Sequence, residues 1–237
     1  MNILKEFNLE SKCSYLPSRN QITHYKVIEE CSVSYCQELI ERGYRRFGKM
    51  YFRPICTACD ECKSIKIDVD SFEFSPSQRR VLKKASNIKS YIQKPTISRD
   101  HLELFEKYHL YMKDKKSWEH NSTTPQNYYN SFVDAHNDFG YEVLYFFENR
   151  LIGVDLIDIL EDGVSSIYFF YDPNFAKYSL GRLSLYNQIL FAKKSQKKWI
   201  YLGYYVRDCP SLSYKAEYKP YQTLDGRPEI YEEPNWI

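Results

Sequence analysis

The sequence predicts an α+β protein: a mixed sheet with helices on both faces, joined to a smaller N-terminal Cys-containing α/β part. Two observations predict it. The later half runs as an antiparallel meander, then a helix, then one more strand. The earlier part centres on a basic, aromatic strand that ends in a thiol-rich turn, ERGYRRFGKMYFRPICTACDEC. A composition shift near residues 90–98, where a basic helix gives way to YIQKPTIS, divides the chain into expected domains 1–90 and 91–237.

Taken in order, residues 1–30 show weak periodicity, with Cys13, Tyr15, Leu16, Pro17 and Arg19 in a compact loop. A helical pattern follows over Val33–Arg42, and Gly43 fits its C-terminal end. The basic strand comes next, then the Cys turn, then a strand alternating Ile65, Ile67 and Val69 with Lys66 and Asp68. Ser75-Pro76 caps and opens a helix bearing Arg79, Arg80, Lys83 and Lys84. Further helices are expected over His101–Lys115 and from Thr124-Pro125 to His136. Strands Tyr141–Glu148, Leu151–Leu160 and Val164–Tyr171 form the meander, which stops at Asp172-Pro173. Leu183, Tyr186, Ile189 and Leu190 stripe a helix over Leu180–Lys194, and Trp199–Tyr204 is the last expected strand. A strand–helix–strand unit after a meander is the order of acetyltransferase-type folds.

Composition narrows the function. The 237 residues are 43% hydrophobic and 27% charged, which suits a globular chain with a real core. The net charge of only +2 means that nucleic-acid contact must come from local clusters. Aromatics reach 17%, with 23 tyrosines that serve cores and wet clefts equally well. The first residues lack the long apolar stretch of a secretory signal, and no run is long enough to span a membrane, so a reduced cytoplasmic setting is expected. There, clustered thiols mean metal, redox chemistry or plain burial.

Three constellations carry chemistry. Cys56, Cys59 and Cys62 place soft ligands in one turn, and Cys13 is the candidate fourth for zinc or an iron–sulfur cluster. The alternative is that these thiols are small buried hydrophobes. Next, Tyr171-Asp172-Pro173 leads to a helix start at Ser179-Leu180-Gly181-Arg182, whose free backbone N–H groups suit a phosphate or an oxyanion. Finally, Tyr214, Lys215, Tyr218 and Lys219 interleave cations with rings, a pattern that grips a phosphate backbone and stacks on bases. Cys209 has no histidine beside it in sequence to activate it as a nucleophile.

As an ordered set these residues resemble a known family. CSYLP at Cys13–Pro17, GYRRFGKMYFRP at Gly43–Pro54, CTACDEC at Cys56–Cys62 and FSPSQRR at Phe74–Arg80 lie in sequence with FYDP, SLG and YKA further on. The set is similar to the arginyl-tRNA–protein transferases, and more closely to their bacterial branch, the aspartate/glutamate leucyltransferases. The resemblance implies an acetyltransferase-like catalytic domain that moves an aminoacyl group from tRNA to the α-amino group of proteins beginning with Asp or Glu. It implies leucyl-tRNA and such acceptors as partners, and a product marked for N-terminal-rule degradation. Leu16 stands where the eukaryotic branch has a second cysteine, which favours leucine over arginine as the donor residue.

An aminoacyl ester is already activated, so the reaction requires no cofactor, only positioning and oxyanion stabilisation. Within this reading Tyr171, Asp172, Ser179 and Gly181 are the expected catalytic set. Arg45, Arg46 and Arg53, with Tyr51 beside them, are expected to clamp the acidic N-terminus. Arg79, Arg80, Lys83, Lys84, Lys215 and Lys219 are expected to contact tRNA. Two rivals share parts of the pattern. An acyl-coenzyme A acetyltransferase wants more glycines than the single Gly181 before its helix, and a metal-stabilised RNA-binding module leaves the large later half without a role.

Overall fold

The computed structural model describes residues 2–119, 122–134 and 138–237, and it holds two sheets. The smaller is antiparallel, in the order β1–β2–β4–β3, from β1 (Asn2–Lys12), β2 (Asn20–Glu30), β3 (Arg45–Phe47) and β4 (Met50–Pro54). Helix α1 (Val33–Glu41) accompanies it, capped by the Ser32 side chain, and Gly43 takes the left-handed backbone (φ +83°) that ends the helix.

The β1–β2 hairpin is absent from the sequence reading, and its burial explains why. β1 is exposed or half-exposed along its whole length, so it carries no one-sided apolar pattern. Pairing with β2 holds it, helped by stacking of Phe7 on Tyr25 at 5.1 Å and a Lys26–Glu6 ion pair at 3.0 Å.

The larger sheet has eight strands, in the order β12–β11–β5–β10–β9–β8–β7–β6. β7 (Gly140–Phe147), β8 (Arg150–Ile159) and β9 (Gly163–Tyr171) form the antiparallel meander. Helix α5 (Leu180–Lys194) then crosses over to β10 (Trp199–Tyr205), which lies parallel to β9. β5 (Lys63–Asp68) enters between β10 and β11 (Tyr221–Asp225), so the first part of the chain supplies a strand to the second sheet. The division expected at residue 90 falls inside the edge strand β6 (Ile88–Gln93). β12 (Asn235–Trp236) closes the far edge, and its Trp236 clasps the Lys66 ammonium at 4.3 Å against Trp199 at 4.1 Å.

Helices cover both faces. Leu104, Tyr108 and Met112 of α3 (Arg99–Lys116) pack on Val154, Leu156 and Phe170. Leu185, Tyr186 and Ile189 of α5 pack on the opposite face with Ile157, Ile200 and Leu202. Helix α2 (Pro76–Lys84) has the predicted Ser75 cap, completed by Gln78 as a capping box, and its Leu82 joins the cluster of Leu180 and Leu183. Helix α4 (Pro125–Tyr128) starts at the expected Thr124 cap and continues as a π-turn over Tyr129–Val133. Its expected end, His136, lies outside the described residues. None of the described helices is long and apolar enough to cross a membrane.

Asp155 on β8 is fully buried, its carboxylate accepting from Gln188 of α5 at 2.9 Å. Burial pushes its pKa up to about 7, against about 3.9 in an unfolded chain. Between those values the folded state holds a proton that the unfolded state has released, so stability falls as pH rises through that window. Asp155→Asn keeps an oxygen for Gln188 and removes the titration. Unfolding free energies from urea titrations at pH 5 and pH 8 should differ less in this variant than in wild type, by on the order of 2–4 kcal/mol.

Candidate active site

β9 and β10 are parallel neighbours only where Gly163, Val164 and Ser165 face Trp199, Ile200 and Tyr201. Beyond that point side chains fill the gap. Arg45 reaches in from β3, donating to the carbonyls of Ser166 (3.2 Å) and Ile167 (2.8 Å) on β9 and of Leu202 (3.1 Å) on β10. The Lys215 ammonium donates to the same Leu202 carbonyl at 2.8 Å and to Tyr204 at 2.6 Å. The register of β10 on β5 shifts between Tyr201 and Gly203, and Gly203 sits at φ +73°. A Cβ there would lie 1.6 Å from Arg45 Nη1, so only glycine lets the guanidinium in.

A cavity opens on either side of this cation-filled divergence. One, of about 320 Å³, lies at the start of α5, between Tyr171, Ser179, Gly181 and Arg182 on one side and Tyr214 and Tyr218 on the other. The other, of about 240 Å³, lies under the small sheet, walled by Tyr15, Tyr25, Phe47 and Phe52 and ending at Tyr204. Arg45 links the two: its charge acts on Tyr15 and Tyr204 in the second and on Tyr214 in the first. Burial nonetheless raises all three tyrosines, so their hydroxyls stay protonated at neutral pH. Phe47 also packs edge-on against Tyr168 of β9 at 6.0 Å, and the Tyr168 hydroxyl bonds His109 Nε2 at 2.8 Å.

Tyr171, Ser179 and Gly181 of the expected catalytic set share the first cavity. Asp172 does not join them. It is 1% exposed, gripped by Lys107 and Arg150 at 2.6 Å each, and it caps the turn at Asn174. Its carboxylate is engaged by three donors, two of them cations, which commits it to holding this turn together.

The expected acid clamp needs a larger correction. Arg46 forms a bidentate pair with Asp158 inside the protein, its Nε donating at 2.8 Å. Arg53 turns to the C-terminal tail, donating to the Pro228 carbonyl at 2.7 Å and to Glu229 at 2.5 Å. Tyr51 is completely buried. Strand alternation separates these side chains from Arg45, the one of the three that reaches the divergence. Of the expected tRNA contacts, Arg79, Arg80, Lys83 and Lys84 are exposed on α2, and Lys219 is exposed too. Lys215 is buried instead, because β10 carbonyls take its ammonium.

Comparison with known proteins now bears on this geometry. Family models described as arginine-tRNA-protein transferase, N terminus and C terminus, match residues 11–80 and 100–225. An aspartate/glutamate leucyltransferase of Campylobacter jejuni subsp. jejuni serotype O:6 is 50% identical over 224 residues, 94% of each chain. That of Helicobacter hepaticus is 45% identical over 234 residues, 98% of this chain and 97% of its own. The chain belongs to the aspartate/glutamate leucyltransferase family. Among solved structures, L-PGS from Bacillus licheniformis is similar at a TM-score of 0.46 and 14% identity, over 61% of this chain and 45% of that one.

For a leucyltransferase of this family the thiols need a separate test. Cys13, Cys56, Cys59 and Cys62 all border the second cavity, and the other three thiols help burial push Cys62 up to about 12. The donor chemistry suits zinc or an iron–sulfur cluster, yet the arrangement does not. Among the described residues no three Cys, His, Asp or Glu side chains gather closely enough to hold a metal ion. Cys59 instead accepts from Arg19 at 3.0 Å, and Cys56 from the Ile22 amide at 3.4 Å. No step of the reaction is assigned to a metal here.

Sequence reasoning missed the aromatic walls and the inward roles of Arg45 and Lys215. One signal was present: Gly203 interrupts an otherwise bulky strand, which marks a close approach by another group. Gly203→Ala should prevent stable folding, a cost above about 3 kcal/mol by thermal or urea unfolding. Gly181→Ala, which meets nothing within 4 Å, should hold or raise stability by up to about 1 kcal/mol while narrowing the first cavity.

Proposed function

We propose that this chain transfers leucine from leucyl-tRNA to the α-amino group of proteins that begin with Asp or Glu, marking them for N-terminal-rule degradation. The observation that carries the reading is a pair of cavities whose wall tyrosines, Tyr214 in one and Tyr15 and Tyr204 in the other, all feel the Arg45 charge. A reaction with two large substrates needs two seats and one meeting point. The parallel β9–α5–β10 unit with diverging strands supports an acetyltransferase-like catalytic part within residues 91–237, with residues 1–90 supplying Arg45.

The donor's 3′ end occupies the first cavity. The open start of α5 offers the Leu180 and Gly181 N–H groups, the Ser179 amide being bonded to Ala176, and the positive end of a 15-residue helix to a phosphate or to the developing oxyanion. The exposed basic face of α2, whose Leu82 packs with Leu180 and Leu183, carries the tRNA body. The acceptor's N-terminal residue approaches the gap from the other side, its carboxylate drawn to Arg45. The neutral α-amine attacks the leucyl ester carbonyl, and the tetrahedral intermediate collapses. The tRNA ribose oxygen then leaves and takes up a proton as the amide forms. Ester activation supplies the driving force, so no covalent nucleophile takes part. All seven cysteines are free, in keeping with a reduced cytoplasmic enzyme.

Labelled leucyl-tRNA and arginyl-tRNA, each incubated with Asp-, Glu- and Ala-initiated peptides, test this reading. Label should pass from leucyl-tRNA to the Asp and Glu peptides only; transfer of arginine instead, or no transfer at all, overturns it. Reversing Arg79, Arg80, Lys83 and Lys84 to Glu together should leave the melting temperature within a few degrees of wild type. It should weaken tRNA binding and flatten its salt dependence by roughly 3 to 4 units of log–log slope.

A further inference from the structure

We infer that Lys215 is the proton acceptor for the incoming α-amine, and that the acceptor's own acidic side chain switches it on. The inference rests on the leucyl-transfer reading and adds a mechanism by which acidic N-termini are selected. It starts from an unusual pairing of charges. Arg45 and Lys215 both donate to the Leu202 carbonyl, so two cationic groups crowd one oxygen in the gap where the strands part. Every hydrogen bond they make among the described residues goes to a backbone carbonyl, and no carboxylate lies within ion-pair distance of either. Arg46 and Arg53 are paired with Asp158 and Glu229. Buried Arg42 bonds three separate carbonyls and buried Lys66 lies against Trp rings; Arg45 and Lys215 differ in sharing one oxygen.

An uncompensated pair relaxes by losing a proton, and Lys215 is the member that can. Burial first, then the Arg45 charge, hold its pKa well below the ordinary lysine value, and the nearby Cys209 thiol opposes them weakly. The other titratable groups at the gap, Tyr15, Tyr204 and Tyr214, keep their protons. A neutral amine spends its two N–H bonds on the Leu202 and Tyr204 carbonyls and keeps one lone pair.

An acceptor beginning with Asp or Glu brings a carboxylate and an α-ammonium group together. Its carboxylate supplies the missing negative charge beside Arg45, which raises the proton affinity of Lys215. The proton then moves from the α-ammonium nitrogen to Nζ, leaving a neutral α-amine as nucleophile and a lysinium paired with the substrate's side chain. One N–H bond breaks, one forms, and charge is conserved. A neutral first residue supplies no such charge, so its ammonium keeps the proton.

Calorimetry on the full chain separates this from a structural role. The probe is a peptide whose first residue is a succinyl group, an aspartate without its amine, titrated at pH 7.5 in buffers of different ionisation enthalpy. It should bind wild type with uptake of close to one proton, and the matching Asp-initiated peptide with nearly none, because it brings its own. Lys215→Arg places a permanent cation at the same carbonyls, one that cannot release a proton. It should bind both peptides with no uptake, and its transfer rate should climb about tenfold per pH unit up to about pH 8, where the α-amine deprotonates unaided. Succinyl-peptide binding to wild type without proton uptake, uptake that persists in Lys215→Arg, or no binding of the succinyl peptide would overturn the inference. Lys215→Met, with its fold checked by melting, should lose uptake as well. A failure of the leucyl-transfer reading would show in the tRNA assay and leave these binding results unchanged.

Discussion

One side chain ties the two sheets to a common purpose. Arg45 leaves the small sheet, enters the gap between β9 and β10, and satisfies carbonyls that the parallel ladder abandons there. Without it the Ser166 and Ile167 carbonyls would lose this donor, at about 1–3 kcal/mol each where nothing replaces it, and the Leu202 carbonyl would keep only Lys215. The left-handed glycine at 203 is the room that this insertion needs. The guanidinium is therefore a strut between two layers, and its positive charge acts on tyrosines in the walls of both cavities.

Other arginines fasten the rest of the chain around this point. Arg42 and Arg53 hold the C-terminal tail through the carbonyls of Pro228, Glu229 and Glu232. Arg227 returns the favour by donating to the carbonyls of Cys56 and Cys59, so the tail braces the thiol-bearing loop. This bracing, with the Arg19–Cys59 contact, holds the loop from two sides. The basic cluster that stands out in the sequence is thus largely internal wiring, and the exposed positive surface lies elsewhere, on α2.

Much of the fold was legible because its central elements are bounded apolar segments. β8 and β10 are buried nearly throughout between helix layers, α5 stripes its apolar residues, and the ends of the meander, α5 and β10 fall within a residue or two of expectation. The α2 cap was legible for a different reason, since Ser-Pro sets both the hydrogen bond and the backbone angle locally. Strands β1, β6 and β11 were not. β1 and β6 are exposed edges whose side chains carry little pattern, and β11 exists because β5 offers it a partner across a long separation in sequence.

By itself the sequence determined the chemistry available: the thiol spacing, the helix start at Ser179–Gly181, the stock of arginines and tyrosines, and the ordered set of motifs that places the chain in its family. Only the tertiary structure decided which cations are spent on internal carboxylates. Whether an arginine meets a substrate or an internal carboxylate depends on the face its strand turns inward and on the layer opposite. Arg46 met Asp158 and Arg53 met Glu229, whereas Arg45 and Lys215 met only carbonyls. The partners of the three arginines come from strands and tail segments more than a hundred residues away, and no local pattern encodes them.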